Sequence, residues 1–390
     1  MSGLLAAIML LRRGWAVDVF ERVESELAGR GAGIVAQAEL IAHLDALGLD
    51  TNELGVEART RKLLDVDGRI TLTVECPQVL TAWERVYRVL RDAFPAAHYH
   101  RGRALTAFED TGTGVEARFA DGGTAEGDVL IGADGLRSTV RGQCLPDATP
   151  LYAGYCAWRA LLAESAIPPD IHRELFDSMA FCLPPGEQCV SYPVAGPHGD
   201  LRPGQRRYNV VWYRPASETI ELPWLLTDDS GVTHSISIPP PLIRRDAVAA
   251  MRTAAERLLP PQFRAIVRLI DEPILQPIYD LESPRLAFGR IAIVGDAAFV
   301  ARPHVAAGVS KAADDAAALA RALDADDVPS GLRRFEAERL PAGRKIIERA
   351  RHLGAYLQAT QSAEERARSA RHSIPEAVLA ETAVLDFLYA

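Results

Sequence analysis

Residues 290–316 constrain the fold of this chain more than any other stretch. An apolar run there is typical of a buried β-strand, and it ends at Gly295 and Asp296, where the backbone turns. A carboxylate at such a turn can accept hydrogen bonds from the hydroxyl groups of a polyol chain. A helix rich in small residues follows after Pro303. Strand, acidic turn and helix in this order predict an α/β fold with a ligand site beside Asp296.

The start of that helix predicts an anion site. Gly308, Val309 and Ser310 form a glycine-containing helix start, and the free N–H groups and positive dipole end there favour an anion. A flavin carries a polyol chain for Asp296 and, when reduced, an anionic ring for the helix start. The whole stretch therefore suits a flavin, with Pro303, Gly308, Val309 and Ser310 as its contacts.

Two further segments have the layout of a dinucleotide-binding fold. A strand over residues 15–20 ends at Glu21 and Arg22, at the strand end where such folds hold ligands. Residues 128–141, DVLIGADGLRSTVR, place Asp134 after a strand and before a helix. From the residues alone, Asp134 is also compatible with a turn before a capped helix, and Glu21 with an ordinary edge acid.

These three motifs, in this order, resemble those of the FAD-dependent aromatic hydroxylases, the single-component flavoprotein monooxygenases built like p-hydroxybenzoate hydroxylase. Residues 302–308, RPHVAAG, are most similar to the 2,6-dihydroxypyridine 3-hydroxylase branch. The resemblance implies FAD as cofactor and NADH or NADPH as reductant. It also implies that oxygen from O2 enters a small hydroxylated aromatic or N-heteroaromatic ring through a flavin C4a-hydroperoxide. In the site it assigns ribose to Glu21, the pyrophosphate to Asp134, and the FAD phosphates to Arg30 in the segment RGAG.

The first residues match only the last third of the fingerprint that opens such folds. A dinucleotide-binding fold begins with a strand and a glycine-rich turn, whereas this sequence begins with MSGL. We therefore expect Ser2, Gly3 and Leu4 to contact FAD, and Glu21 follows Gly3 by 18 residues, near the spacing of ~20 found for the ribose-binding acid. We also expect Met1 to be an internal methionine of a longer chain, or the sequence to be a fragment, with the first strand missing.

The predicted fold class is α/β with an α+β insert, in four consecutive parts. Residues 1–150 are predicted to form the first part of a Rossmann-like FAD-binding domain. In residues 151–282, aromatic-rich strands broken by Pro-Pro and Pro-Gly indicate an inserted antiparallel-sheet substrate domain. Residues 283–328 return to the FAD-binding domain, and residues 329–390 form a charged, helical C-terminal region.

One histidine and three aromatic residues are candidates for the substrate pocket. His304 follows Pro303 at the expected reactive edge of the flavin, where an imidazole could take the proton of a ring hydroxyl. Strand alternation puts Tyr208 and Trp212 on one face of the substrate sheet, and Tyr192 lies on a neighbouring strand. The sequence does not decide which face covers the pocket, and ordinary core packing is an equally simple role for each residue.

Composition excludes several other classes of protein. The net charge is −9, and no basic stripe is present to bind nucleic acid. Five cysteines without a Cys-x-x-Cys pair suit the reducing cytoplasm.

The apolar opening precedes Arg12 and Arg13 instead of following them, which favours a first helix over a signal peptide. No run approaches the ~20 apolar residues of a membrane helix, and no histidine has metal-ligand spacing to Cys or Asp. The sequence leaves open assembly as a homodimer.

Two alternatives to a monooxygenase stay open at this stage. A flavin oxidase or dehydrogenase could use the same scaffold, because a fold does not fix the chemistry. An inactive remnant or ligand-binding protein would result from loss of the first strand. A serine hydrolase is disfavoured, since the sequence has no Gly-x-Ser-x-Gly motif.

Overall fold

The computed structural model describes residues 1–27, 33–324 and 327–388. In chain order its α-helices are α1 (Ser2–Leu11), α2 (Ala38–Ala46), α3 (Trp83–Ala93), α4 (Thr139–Cys144), α5 (Pro169–Leu175), α6 (Glu221–Leu226), α7 (Arg245–Leu258), α8 (Pro261–Arg268), α9 (Gly308–Ala322), α10 (Val328–Gly354), α11 (Ala363–Ser369) and α12 (Pro375–Glu381).

The strands are β1 (Val19–Glu21), β2 (Gly33–Ala36), β3 (Val56–Leu64), β4 (Ile70–Ala82), β5 (Tyr99–Arg101), β6 (Leu105–Asp110), β7 (Val115–Phe119), β8 (Thr124–Gly127), β9 (Leu130–Gly132), β10 (Leu151–Ala163), β11 (Ser178–Cys182), β12 (Gln188–Val194), β13 (Arg207–Pro215), β14 (Ile274–Glu282), β15 (Ala287–Phe288), β16 (Ile291–Ile293) and β17 (Phe299–Val300). The expected mixture of parallel strands, antiparallel strands and C-terminal helices is confirmed.

The cofactor half is built from short parallel strands and two buried helices. β1 pairs with β5 and β16 pairs with β9, both in parallel, and the two pairs are not hydrogen-bonded to each other within the described residues. Helix α1 is apolar on all sides and buried from Leu4 to Leu10, as expected of a core helix. It packs on α9, so the N-terminal ends of both helices belong to one core.

The other half is dominated by one large, mostly antiparallel sheet. Its strand order is β17-β14-β10-β13-β12-β11-β3-β4-β2, with β11 and β3 paired in parallel. Strands β2, β3 and β4 precede residue 150, so this sheet extends across the predicted boundary between the first two parts of the chain. The division into four parts stays a prediction.

The two faces of the large sheet have different neighbours. One face packs under α5, α6, α7 and α8, in a core that contains Trp158, Tyr208 and Trp212. The opposite face, named the inner face, carries Tyr155 and Tyr213. It is covered by Ala306 and by the C-terminal segment that includes α12.

The described residues contain no helix long and apolar enough to cross a membrane. Among those same residues, no group of three or more His, Cys, Asp and Glu side chains is arranged to hold a metal ion. All five cysteines are free thiols.

Candidate functional site

The start of α1, the end of β1 and the turn after β16 meet at one place. Met1, just before α1, lies near the carboxylates of Asp296 and Glu21. Ser2 and Gly3 begin α1 beside them, followed by buried Leu4. The structure therefore brings the predicted residues Ser2, Gly3, Leu4, Glu21 and Asp296 together, although they come from three separate stretches.

Gly295 lets the chain turn sharply after the buried strand β16. It has φ +61°, a conformation that residues with a Cβ rarely adopt. A Cβ at this position would also overlap Ser2 Oγ. Asp296, the next residue, has an exposed side chain. Its pKa is raised because the surrounding protein removes part of its hydration, and Lys311 opposes the rise.

A buried ionic network holds the backbone of Gly295 in place. The Asp315 carboxylate accepts a hydrogen bond from Gly295 N at 3.1 Å, and Lys311 Nζ donates to Gly295 O at 2.8 Å. Lys311 and Arg339 both contact Asp315, at 3.2 Å and 2.8 Å. Burial alone would raise the pKa of Asp315, but the two cations outweigh it and hold that pKa below its usual value. Sequence reasoning missed this network, whose only local signal was the i, i+4 spacing of Lys311 and Asp315.

The start of α9 has the groups expected of an anion site. The helix begins at Gly308, as predicted, and Ala307 before it gives no side-chain cap. Gly308 is exposed, Val309 is partly buried, and Ser310 is buried with an unpartnered Oγ. The free N–H groups of a helix start and an orphaned hydroxyl can satisfy the acceptors of a flavin ring. Together with the turn at Gly295, they fit FAD.

Asp134 has the capping role that the sequence left open. Its carboxylate accepts hydrogen bonds from Thr139 N at 2.7 Å and Val140 N at 3.1 Å, at the start of α4. It is also exposed, and contact with the FAD pyrophosphate stays a prediction. Sequence reasoning missed Arg141, whose buried guanidinium donates to Ala297 O at 2.9 Å and so ties α4 to the turn that carries Asp296.

Four further residues are predicted to contact FAD: Glu21, Arg22, Pro303 and Arg30. Glu21 Oε1 accepts a hydrogen bond from Val23 N at 2.9 Å, which fixes the carboxylate at the end of β1. Arg22 follows it on the surface, and Pro303 is partly buried. Arg30 lies outside the described residues.

His304 is buried in the corner between α10 and the inner face of the large sheet. Its Nε2 lies 3.0 Å from Tyr155 Oη, and its ring centroid lies 4.3 Å from that of Tyr213. The other ring nitrogen, Nδ1, is buried without a hydrogen-bond partner. Burial, helped by nearby Arg302, lowers the pKa of His304 to about 3, so the imidazole is neutral at physiological pH. A neutral ring with a free buried nitrogen can bond a hydroxyl group of a ligand.

The corner leaves no spare space behind the imidazole. A Cβ on Gly354 would lie 2.5 Å from Tyr155 Oη and 3.1 Å from His304 Cδ2. Ala306, two residues after His304, has φ +48°, a strained value for alanine. The backbone oxygen of His304 accepts a hydrogen bond from Ala383 N at 2.7 Å. The position of the imidazole is thus set by three separate parts of the chain.

The predicted substrate residues do not all share this corner. Tyr192 lies on the inner face and its hydroxyl donates to Gly33 O at 3.0 Å. Tyr208 and Trp212 lie on the opposite face, buried under α5 to α8, where Tyr208 stacks on Phe176. The alternation of β13 turns those two residues away from His304, and their contact with substrate stays a prediction.

The residues of β13 that share the inner face are Asn209, Val211 and Tyr213. Cross-strand pairing puts Arg159 beside Val211 and Ala157 beside Tyr213, and residues directly opposite in such a pair share a face. Sequence alternation had identified this set as the other choice for the pocket. The sequence of a single strand does not reveal which of its two faces the helices cover.

Comparison with known proteins agrees with the FAD site that the geometry indicates. A family model for the FAD binding domain matches residues 1–181, and a model described as FAD binding domain-like matches residues 152–280. The chain is 33% identical over 320 residues to the 2,6-dihydroxypyridine 3-monooxygenase of Paenarthrobacter nicotinovorans, covering 82% of this chain and 79% of that protein. It is 27% identical over 338 residues to the 6-hydroxynicotinate 3-monooxygenase of Pseudomonas fluorescens, with 83% and 80% covered.

Solved structures have the same fold. The 2,6-dihydroxypyridine-3-hydroxylase from Arthrobacter nicotinovorans superimposes with a TM-score of 0.86 and 30% identity, covering 93% of this chain and 91% of that one. Klebsiella pneumoniae HpxO, solved with FAD and uric acid, has a TM-score of 0.76 at 21% identity and shows similarity of fold alone. On its sequence similarity over most of its length, this chain belongs to the family of FAD-dependent monooxygenases that hydroxylate aromatic rings.

Proposed function

We propose that this chain hydroxylates a small, hydroxylated N-heteroaromatic ring of the hydroxypyridine type, using FAD, O2 and NADH or NADPH. The observation that carries the proposal is the free, buried Nδ1 of His304, which shares the inner face with Tyr213 and lies close in sequence to the flavin-binding helix start. Relatives named for dihydroxypyridine and hydroxynicotinate hydroxylation support the substrate class.

The cofactor would be held by groups from both ends of the FAD-binding fold. Asp296 and Glu21 are the acceptors for hydroxyl groups, and the N-terminal ends of α1 and α9 are the donors for anionic groups. The proposed contacts are Ser2, Gly3, Leu4, Glu21, Arg22, Arg30, Asp134, Gly295, Asp296, Pro303, Gly308, Val309 and Ser310. Bound FAD supplies the electron transfer and the activation of O2.

The protein's own contribution is orientation, a dry environment and a proton acceptor. His304 Nδ1 would accept the hydrogen bond of a ring hydroxyl, which draws the proton away from the oxygen and increases electron density on the ring. Tyr155 holds the other nitrogen and so fixes the ring orientation. The apolar surroundings exclude water, because the neighbouring Val211 and Tyr213 are buried.

The test is a turnover experiment on the purified chain loaded with FAD. Incubation with 2,6-dihydroxypyridine, NADH or NADPH and ¹⁸O2 should consume the nicotinamide and give a product that carries one ¹⁸O atom. A flavin oxidase would instead consume O2 without nicotinamide and leave the product unlabelled. FAD retention without any substrate-dependent oxidation of NADH or NADPH, across a series of hydroxypyridines, would contradict the proposal.

The homodimer and the cytoplasmic location stay predictions. Gel filtration with light scattering of the FAD-loaded chain tests the first, and fractionation of the source cells tests the second.

A further inference from the structure

One polar group on the inner face has no partner in the protein. Asn209 is fully buried, and its Nδ2 makes no hydrogen bond. Its Oδ1 accepts a hydrogen bond from Gly33 N at 3.1 Å. Since a backbone N–H can only donate, the carboxamide cannot be flipped, and the free atom must be the NH2 donor. A buried donor without an acceptor destabilises the fold, so it calls for a ligand or a water molecule.

The neighbours of Asn209 favour an electron-rich acceptor. Arg159 lies on the same face, and its Nε is also buried without a partner. Its Nη1 donates to Gln276 Oε1 at 2.8 Å, which holds the guanidinium in place. Burial raises the pKa of Tyr192 and of Tyr213, and Arg159 lowers both, so its positive charge acts at this face. An oxygen with partial or full negative charge is therefore favoured there.

The free donor and His304 lie at two ends of an apolar strip. Asn209 and Tyr213 are four residues apart on β13, so both side chains project from the inner face. Val211 lies between them, flanked by Val190 of β12. His304 packs on Tyr213, at the far end. An apolar centre between an NH2 donor and an imidazole nitrogen suits a flat ring that carries two oxygen substituents.

We propose that Asn209, assisted by Arg159, determines substrate specificity by donating a hydrogen bond to a second oxygen of the ring, while His304 accepts one from the first. The site then selects rings that carry two oxygen substituents over rings that carry one. This inference rests on the proposed function, and it adds the residue that recognises the second oxygen by a hydrogen bond.

The experiment compares two ligands on the FAD-loaded enzyme and its variants. The dissociation constants of 2,6-dihydroxypyridine and 2-hydroxypyridine are measured from the change that each causes in the visible flavin spectrum. The wild-type chain should bind the two-oxygen ring about tenfold to hundredfold more tightly, the effect of one buried hydrogen bond. In Asn209→Leu this ratio should fall to about one, because the donor is absent.

Ser191→Ala is the matched control. Ser191 lies on the neighbouring strand β12 and is also fully buried, but its hydroxyl donates to Tyr208 Oη at 3.0 Å on the opposite face of the sheet. Only Asn209→Leu removes the free donor, and the ligand ratio should therefore stay at the wild-type value in Ser191→Ala. Asn209→Asp is the second variant if Asn209→Leu does not fold. It keeps an acceptor for Gly33 N, and its negative charge, when ionised, should selectively weaken binding of the two-oxygen ring.

Two contrary results are distinguishable. If the wild-type ratio persists in Asn209→Leu and Asn209→Asp while turnover continues, the free NH2 serves a water molecule and the inference is wrong. If the wild-type enzyme retains FAD but neither pyridine changes its spectrum or stimulates oxidation of NADH or NADPH, the proposed substrate class fails and the inference fails with it.

Discussion

At the residue scale, the proposed proton acceptor is an imidazole kept neutral by burial. His304 has a pKa lowered to about 3 by desolvation, with Arg302 contributing in the same direction. A histidine in water would lose half of its basic form near pH 6.5. The imidazole of His304 stays neutral and able to accept a hydrogen bond well below that pH. Protonation of His304 should therefore not limit the pH range of the reaction.

Replacing His304 with Gln should reduce ring hydroxylation by about 10²–10⁴-fold, the usual contribution of a positioned proton acceptor. FAD content should stay at the wild-type level, because the side chain packs on Tyr155 and Tyr213 and not on the Gly295 turn. Stopped-flow measurement of product formation checks the rate, and the absorption spectrum checks the flavin. Tyr155→Phe, which leaves the imidazole in place, is the control and should lose less. An inflexion near pH 6.5 in wild-type kcat/KM that disappears in His304→Gln would contradict the neutral-imidazole interpretation.

The same lowered pKa makes stability depend on pH. Between pH 6.5 and 3 the unfolded chain binds a proton at His304 that the folded chain excludes, so the free energy of unfolding falls as the pH falls. The slope from this group is about 1.4 kcal/mol per pH unit. Urea unfolding from pH 7 to pH 5 should therefore show a shallower decline in His304→Gln than in the wild-type chain. Parallel declines would mean that the histidine takes up its proton equally in the folded and unfolded chains.

At the element scale, the site depends on how the turn after β16 is held against α9 and α10. The Asp315 network clamps both the N–H and the C=O of Gly295, through the carboxylate itself and through Lys311. Arg339 of α10 completes the charge balance. Removing one partner from a buried ion pair is costly because the other charge is left uncompensated.

Asp315→Asn should therefore lower the free energy of unfolding by about 3–5 kcal/mol and weaken FAD binding. Asp314→Asn is the matched control. Asp314 is the adjacent acid on the same helix, partly exposed, paired with His43 at 2.9 Å and in only a longer contact with Arg339 at 3.8 Å, and its loss should cost at most about 1 kcal/mol. Because the pKa of Asp315 is lowered in the folded state, its contribution is lost as the pH falls through that pKa. Equal losses in the two variants, measured by urea unfolding at pH 7, would show that the network is not coupled to the turn.

Local patterns predicted the elements around the cofactor but not their long-range pairing. The turn at Gly295 and the helix start at Gly308 are visible in a single stretch of sequence, and both lie where predicted. The pairing of β3 with β11 joins segments more than a hundred residues apart, and no local period reports it. For the same reason, alternation defined the two faces of β13 but could not tell which one meets His304.

At the scale of the whole molecule, the cofactor should stabilise the fold by mass action. The contacts proposed for FAD come from the start of α1, the end of β1, the turn after β16 and the start of α9, so a bound FAD links segments from about 300 residues of chain. A ligand that binds only the folded state adds about 2.7 kcal/mol when present at 100 times its dissociation constant.

The melting temperature should therefore rise with FAD concentration and continue to rise after the site is nearly full. Differential scanning calorimetry over a range of FAD concentrations measures this. Asp296→Ala removes the central carboxylate of the proposed site, and its melting temperature should respond only at much higher FAD. A wild-type melting temperature that does not depend on FAD would rule out a site formed by these four segments.

The contact between Ala383 and His304 has a consequence for synthesis of the protein. Ala383 N donates to His304 O, while Gln37 and Gln78 donate to Ala383 O at 3.0 Å and 2.8 Å. The corner around His304 is thus closed by a residue that leaves the ribosome after every residue proposed to bind FAD. A nascent chain with residue 383 still in the exit tunnel has the proposed FAD-binding segments outside but lacks this closure. We therefore expect FAD binding to precede the final positioning of His304 during synthesis of the protein.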